Sequence, residues 1–248
     1  LSHLKWLLQK DSLKQDVFLI GAPGALRSNI VLQYLELCGR EFEYLSITRD
    51  TTEADIKQRR EIRNGTAFYT DLCAVRAALN GRVLVIDGVE KAERNVLPIL
   101  NSLLESREMQ LDDGRFLIAA DKYDKLVEEM GEERVRERKL ERVSENFLVV
   151  ALGLPVPPFK GHTLDPPLRS RFQCRQIDSM PFATLHQLCT ASAPNIASDR
   201  ISSLISLCLA INSSEASSLA LPRFPIDNLI NIARIWVFVF VLNSNSLK

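Results

Sequence analysis

The run Val17-Phe-Leu-Ile-Gly-Ala-Pro-Gly-Ala-Leu-Arg-Ser-Asn29 limits what this chain can fold into more than any other stretch. An apolar, β-prone segment breaks at Gly21 into a Gly/Pro loop, and a helical pattern of apolar residues opens after Ser28. Strand, loop and helix in that order make a phosphate loop. Successive backbone N–H groups and a helix N-terminus gather an oxyanion, and the motif G-x-x-x-x-G-K-[ST] adds a Lys for the outer phosphates and a hydroxyl for Mg²⁺. In that frame Gly21 and Ser28 keep their places, Ala22, Pro23, Gly24 and Ala25 fill the loop, Leu26 stands at the second Gly, and Arg27 stands at the Lys. Leu26 brings a side chain to where backbone normally passes a phosphate, and Arg27 puts a planar fork in place of a compact ammonium. Gly21 to Ser28 are thus the candidate nucleotide-binding residues, with an ordinary strand-to-helix turn as the competing reading.

A second signal is Arg82-Val-Leu-Val-Ile-Asp87, an apolar β-branched strand ending in an acid. A carboxylate at the C-terminal end of a parallel strand beside a phosphate loop is where Mg²⁺ is held, so Asp87 joins Ser28 as a candidate metal ligand. Around these landmarks, apolar spacing predicts a helix before Asp11, a strand at 17–20, a helix over 28–37 stopped at Gly39, and a strand at 42–47. Thr52 and Asp55 read as a helix start, and a helix is predicted from Tyr69 to Leu79, closed by Asn80-Gly81. A helix over 91–108, a hairpin at 109–118 around Asp113-Gly114, a charged helical excursion over 121–142, a buried strand at 147–152 and a helical element at 164–172 follow.

After Phe172 the pattern predicts short helices at 181–189, 197–211 and 225–235 without strong parallel strands, a candidate second domain. Ile235-Trp-Val-Phe-Val-Phe-Val-Leu242 is apolar and β-prone, too short to span a bilayer as a helix, and reads as an atypical tail. The expected division is 1–172, 173–236 and 237–248.

Composition narrows the partners. Lys+Arg and Asp+Glu both number 31, so no overall basic excess points to nucleic acid or a membrane surface. Five scattered cysteines and three histidines lack C-x-x-C or metal-ligand spacing, which fits a reducing compartment. A start at Leu1, not Met, fits a fragment of a longer protein.

The order of these parts resembles the AAA+ ATPases, in particular their dynein-related, MoxR- and midasin-like branch. The motifs that carry the resemblance are the loop Gly21–Ser28, Gln58-Arg-Arg-Glu-Ile-Arg63, Gly65-Thr-Ala-Phe-Tyr69, strand 83–87 with Glu90-Lys-Ala-Glu-Arg-Asn-Val-Leu-Pro98, and Leu164-Asp-Pro-Pro-Leu-Arg-Ser-Arg-Phe172. The resemblance implies an α/β fold, a three-layer αβα core on a parallel sheet followed by a small helical lid, and it implies ATP and Mg²⁺ as cofactors. It also implies rings in which a neighbour's arginine completes each site, whether in a homo-oligomer or among AAA+ modules of one chain. An unknown client protein, no nucleic acid, no transmembrane span and a mitochondrial address complete the expectation. Residue by residue, Gly21–Ser28 become Walker A, Asp87 the Walker B acid, and Arg171, with Arg169 as second choice, the arginine finger. Gly88 stands where the family puts its water-activating Glu, and Leu154 where a sensor Asn is expected. Arg223 and Asp227 are the residues near the lid's sensor Arg, Asp227 closer to its position. Glu90 is then the candidate relocated base or, alternatively, a solvated acid at a helix start. Two functions follow: an ATP-binding AAA+ motor module whose three altered catalytic parts make it a better binder of nucleotide than a hydrolase, or a degenerate module that keeps ring geometry with weak nucleotide binding or none.

Overall fold

Parallel strands covered on both faces need continuous apolar runs, and three such runs and a more polar edge strand beside them in the sheet form the middle of this fold. In the computed structural model, which describes residues 1–93, 96–213, 222 and 224–245 (63 and 238–245 as backbone alone), they are β1 (Val17–Gly21), β2 (Phe42–Ser46), β5 (Val83–Asp87) and β9 (Leu148–Gly153). With β10 (Gln173–Ile177) they make a five-stranded sheet in the order β10-β1-β9-β5-β2, every neighbouring pair parallel. The central strand β9 is buried along its whole length, whereas only Leu45 of the edge strand β2 is. Helices α1 (Ser2–Ser12), α2 (Leu26–Leu37), α3 (Glu53–Ile56) and α4 (Cys73–Asn80) lie among the first strands in the chain, and β1 hands the chain directly to the loop before α2.

The remaining elements of this part are β3 (Gln58–Arg63), β4 (Thr66–Asp71), a 3₁₀ turn at Val89–Lys91, α5 (Ile99–Glu105), β6 (Met109–Gln110), β7 (Phe116–Ile118), α6 (Ala120–Met130), α7 (Glu132–Glu137), β8 (Leu140–Arg142) and α8 (Pro166–Arg171). Phe18, Ile47, Leu84, Ile86, Leu103 and Val149 belong to the core cluster beneath them.

Several elements differ from expectation for identifiable reasons. Tyr69 is in β4, not in a helix: β3 and β4 pair as an antiparallel hairpin from Gln58↔Asp71 to Arg63↔Thr66, and the helix starts only at Cys73. Its turn is Asn64-Gly65, with φ of 51° and 78°, the Asn-Gly pair that a two-residue hairpin of type I′ requires. The helix expected over 91–108 is cut down to α5, which starts after Pro98, because a proline cannot donate into a helix interior. The charged excursion is two helices divided by Gly131 at φ 83°, and β8 pairs in parallel with β7. Strand β10 is a fifth parallel strand where short helices alone were expected; its Gln, Cys and Arg residues suit an edge and hide the apolar signal.

The chain folds as two compact units, Leu1–Gly21 with Arg27–Ile177, and Ala22–Leu26 with the residues from Asp178 on. The second unit contains α9 (Phe182–Ser192), α10 (Ser198–Ile211) and α11 (Asn228–Asn245) around Leu185, Cys189, Ile201, Ile205, Cys208, Leu229 and Ala233. The expected β-prone tail is helical as far as Asn245, because it continues a helix whose Leu229 and Ala233, one turn apart, are already anchored in this core. Among the described residues no helix is long and apolar enough to cross a membrane.

Candidate functional site

In the first unit the site is built where β1, β5 and β9 end. Arg27, in the first turn of α2, is buried at 8% exposure, and its Nη1 donates to the carbonyl oxygens of Gly21 at 2.6 Å and Gly153 at 2.7 Å. Its Nε is buried without a partner among the described residues. The guanidinium thus joins the C-terminal ends of two adjacent strands, an inward arrangement unlike the outward reach of a phosphate-binding Lys. Gly21 is required by packing: a Cβ there would lie 2.7 Å from the Ile177 carbonyl oxygen on β10.

Asp87 closes β5, and the Tyr44 hydroxyl donates to its Oδ2 at 2.6 Å. Register explains the reach: Tyr44 pairs with Val85, two residues before Asp87 and on the same face, so the ring runs along the strand to the carboxylate. Burial and then the Asp87 carboxylate push the Tyr44 phenol above its ordinary range, while the nearby Ser28 hydroxyl and Arg27 guanidinium act in the opposite sense. Ser28 and Asp87, the two expected metal ligands, therefore both lie near the Tyr44 phenol, and Asp87 alone accepts its hydrogen bond. Tyr44 carries no local signal in the sequence, and only strand pairing reveals it.

Immediately past Asp87, Gly88 has φ 85°, and a Cβ on it would lie 3.0 Å from the Ile47 carbonyl oxygen. Glu90 is only 5% exposed and is not a solvated helix-start acid. Its Oε2 accepts the Leu154 N–H at 3.1 Å, its carbonyl oxygen accepts the His162 N–H at 2.7 Å, and Gly161 passes so close that a Cβ there would sit 2.7 Å from that carbonyl oxygen. The loop leaving β9 is wrapped around this acid.

The two arginines of α8 are treated differently. Arg171 bonds the Glu105 carboxylate of α5 and the Pro167 carbonyl oxygen, and its Nε is buried without a partner among the described residues. Arg169 is exposed.

The rest of the loop belongs to the second unit. Ala22, Pro23, Gly24 and Ala25 are exposed and Leu26 is half-buried. The Ala25 N–H donates to Asp227 Oδ2 at 2.6 Å. Gly24 has φ 138°, and a Cβ on it would fall 2.0 Å from the same oxygen, so only glycine admits the carboxylate there. Arg223 lies outside the described residues.

These contacts test the fit of the implied ligands. Ser28 and Asp87 converge as hard oxygen donors, which suits Mg²⁺. The Ala25 amide already holds an oxyanion, the Asp227 carboxylate, as a stand-in for a phosphate oxygen. Arg27 does not fit the role of the phosphate-loop Lys.

Comparison with known proteins agrees with this architecture. The family model "AAA domain (dynein-related subfamily)" matches residues 16–172. The chain is 59% identical over 227 residues to von Willebrand factor A domain-containing protein 8 of Mus musculus, covering 92% of this chain and 12% of that protein. Its fold is similar to a crystal structure of a candidate ATPase from Cytophaga hutchinsonii, at TM-score 0.53 and 15% identity, covering 79% of this chain and 51% of the other. A parallel sheet with a glycine-bearing loop after β1 and an acid closing β5, matched by that family model over most of the sheet, places the chain in the dynein-related subfamily of AAA domains.

Proposed function

We propose that this chain is a nucleotide-binding AAA+ module in which binding of Mg-ATP, more than its turnover, is the working event. The observation that carries the reading is the contrast at the end of β5. Asp87 is held by the Tyr44 hydroxyl with Ser28 nearby, whereas Gly88 offers no side chain and Glu90 is spent on the Leu154 N–H. Ser28 and Asp87 would hold Mg²⁺, whose chemistry there is to neutralise charge on the polyphosphate oxygens. The backbone N–H groups of Ala22, Gly24 and Ala25 would bind phosphate oxygens, Pro23 having none to give. A water aligned for attack on the outer phosphate needs an acceptor, a contribution of about 10²–10⁴-fold, and neither Gly88 nor the already engaged Glu90 supplies it.

The test is equilibrium ATP binding with and without Mg²⁺, alongside turnover by the same sample. Mg²⁺-dependent binding with turnover no faster than that of Asp87→Asn is expected. Glu90→Gln keeps an acceptor for Leu154, so loss of measurable turnover in that variant would mean that Glu90 acts as a base and that the module is a working ATPase.

A second reading, a structural AAA+ module with little nucleotide affinity, is favoured by the inward Arg27. Absence of ATP binding at millimolar concentration selects it. In either case the module works beside others of its kind, and Arg171 or Arg169 is the group it would offer to a neighbour's site. The activity, client and mitochondrial address of the longer protein are proposals on the same footing, since the chain spans 12% of its mouse relative.

A further inference from the structure

We infer that Asp227 is an anion the loop carries for itself, so that a polyphosphate reaches Ala22–Ala25 only by displacing that carboxylate. The inference deepens the nucleotide reading above and rests on it. Ala25 and Asp227 belong to the same compact unit, and their hydrogen bond is 2.6 Å long, in the range of a charge-assisted bond to a carboxylate. Gly24 contributes by what it lacks: a side chain at its position would meet Asp227 Oδ2 at 2.0 Å. An oxyanion therefore sits where an N–H of the phosphate loop would meet a phosphate oxygen. Asp227 lies in the turn just ahead of α11, held by the Asn228 N–H to Pro225 carbonyl and Leu229 N–H to Ile226 carbonyl bonds at 3.0 Å each, so the carboxylate is presented by ordered backbone. The contact has two consequences for a nucleotide: it occupies a donor, and it adds a negative charge beside the site of a polyanion.

The experiment measures ATP and inorganic pyrophosphate binding by the purified chain and its Asp227→Asn and Asp227→Ala variants in the presence of Mg²⁺. Pyrophosphate has no base or ribose and so reports on contacts to the phosphates alone. Asn can still accept from Ala25 as a neutral group; Ala removes the acceptor. Both variants are expected to bind both ligands more tightly than wild type, by about tenfold or more, with Ala at least equal to Asn. If wild type binds ATP and neither variant tightens it, Asp227 does not compete and the inference fails while the nucleotide reading stands. If no form binds ATP or pyrophosphate, both fail. A second measurement needs no ligand: the Ala25 amide proton resonance is expected to move upfield in both variants as the bond to the carboxylate is weakened or lost, and an unmoved resonance in a folded variant would overturn the contact.

Discussion

Arg27 Nη1 donates to the Gly153 carbonyl oxygen across 2.7 Å, which ties the first turn of α2 to the end of β9. The same nitrogen holds Gly21 at 2.6 Å, so a residue expected to meet nucleotide acts as a structural clamp. Arg27→Ala leaves two strand-end carbonyls without their buried donor. Loss of about 2–3 kcal/mol of stability is expected, read from urea unfolding. If the side chain faced ligand instead, stability would hold and only ATP affinity would fall.

Tyr44→Phe removes the hydroxyl that donates to Asp87 and keeps the ring. The Mg²⁺ concentration needed to support ATP binding is expected to rise about three- to tenfold, the range for one lost hydrogen bond, with Mg²⁺-free affinity unchanged. A Mg²⁺ titration of ATP binding reads the difference directly.

Gly88→Glu would put back the acid that the family carries there. The backbone forbids a simple exchange, since φ is 85° and a Cβ would press on the Ile47 carbonyl oxygen at 3.0 Å. The variant is expected to lose about 1–3 kcal/mol of stability and gain no turnover, checked by unfolding and by phosphate release.

Glu43 on β2 links α4 and the residue just ahead of β5 through Arg76 at 2.7 Å and Arg82 at 2.8 Å. The hydrogen-bonded Arg76 guanidinium holds the Glu43 carboxyl below its ordinary range against burial, with Arg82 adding to the effect. A depressed carboxyl pKa in the folded state contributes stability fully above the unfolded value, about 4.3, and loses it as pH falls through the folded value. Thermal unfolding should therefore show wild type above Glu43→Gln at pH 6–7, with the gap closing towards pH 3.

Arg171 and Arg169 should separate by stability. Arg171→Ala breaks the contacts to Glu105 and Pro167 and is expected to lower stability by about 1 kcal/mol, whereas Arg169→Ala should change it by less than about 0.5 kcal/mol. Thermal unfolding of the two variants checks this. An Arg171 that serves a neighbouring module must first leave Glu105, so Glu105→Ala should raise any assembly-dependent turnover.

Much of the core was legible because its signals are local. The apolar runs at 17–20, 83–87 and 147–152 can only be buried strands, and the glycines after 20 and 38 stop them or their helices where expected. Where the reading failed, a competing local rule was present: Asn64-Gly65 announces the hairpin that replaced the start of the Tyr69 helix, and Pro98 announces the late start of α5. Strand β10 is different. Gln173 to Ile177 has no apolar run, because an edge strand buries few of its residues, and its place follows only from pairing with β1.

The sequence by itself determined the strand–loop–helix, the acid at 87 and hence the family, since each rests on residue types at fixed spacing. Only the tertiary structure decided what those residues touch. It turned Arg27 inward to two carbonyls, brought Tyr44 to Asp87, spent Glu90 on Leu154 and set Asp227 against Ala25. Each of these pairs except Arg27–Gly21 joins residues more than forty positions apart, and a hydrogen bond across that separation exists only once sheet register and helix packing bring its donor and acceptor within about 3 Å.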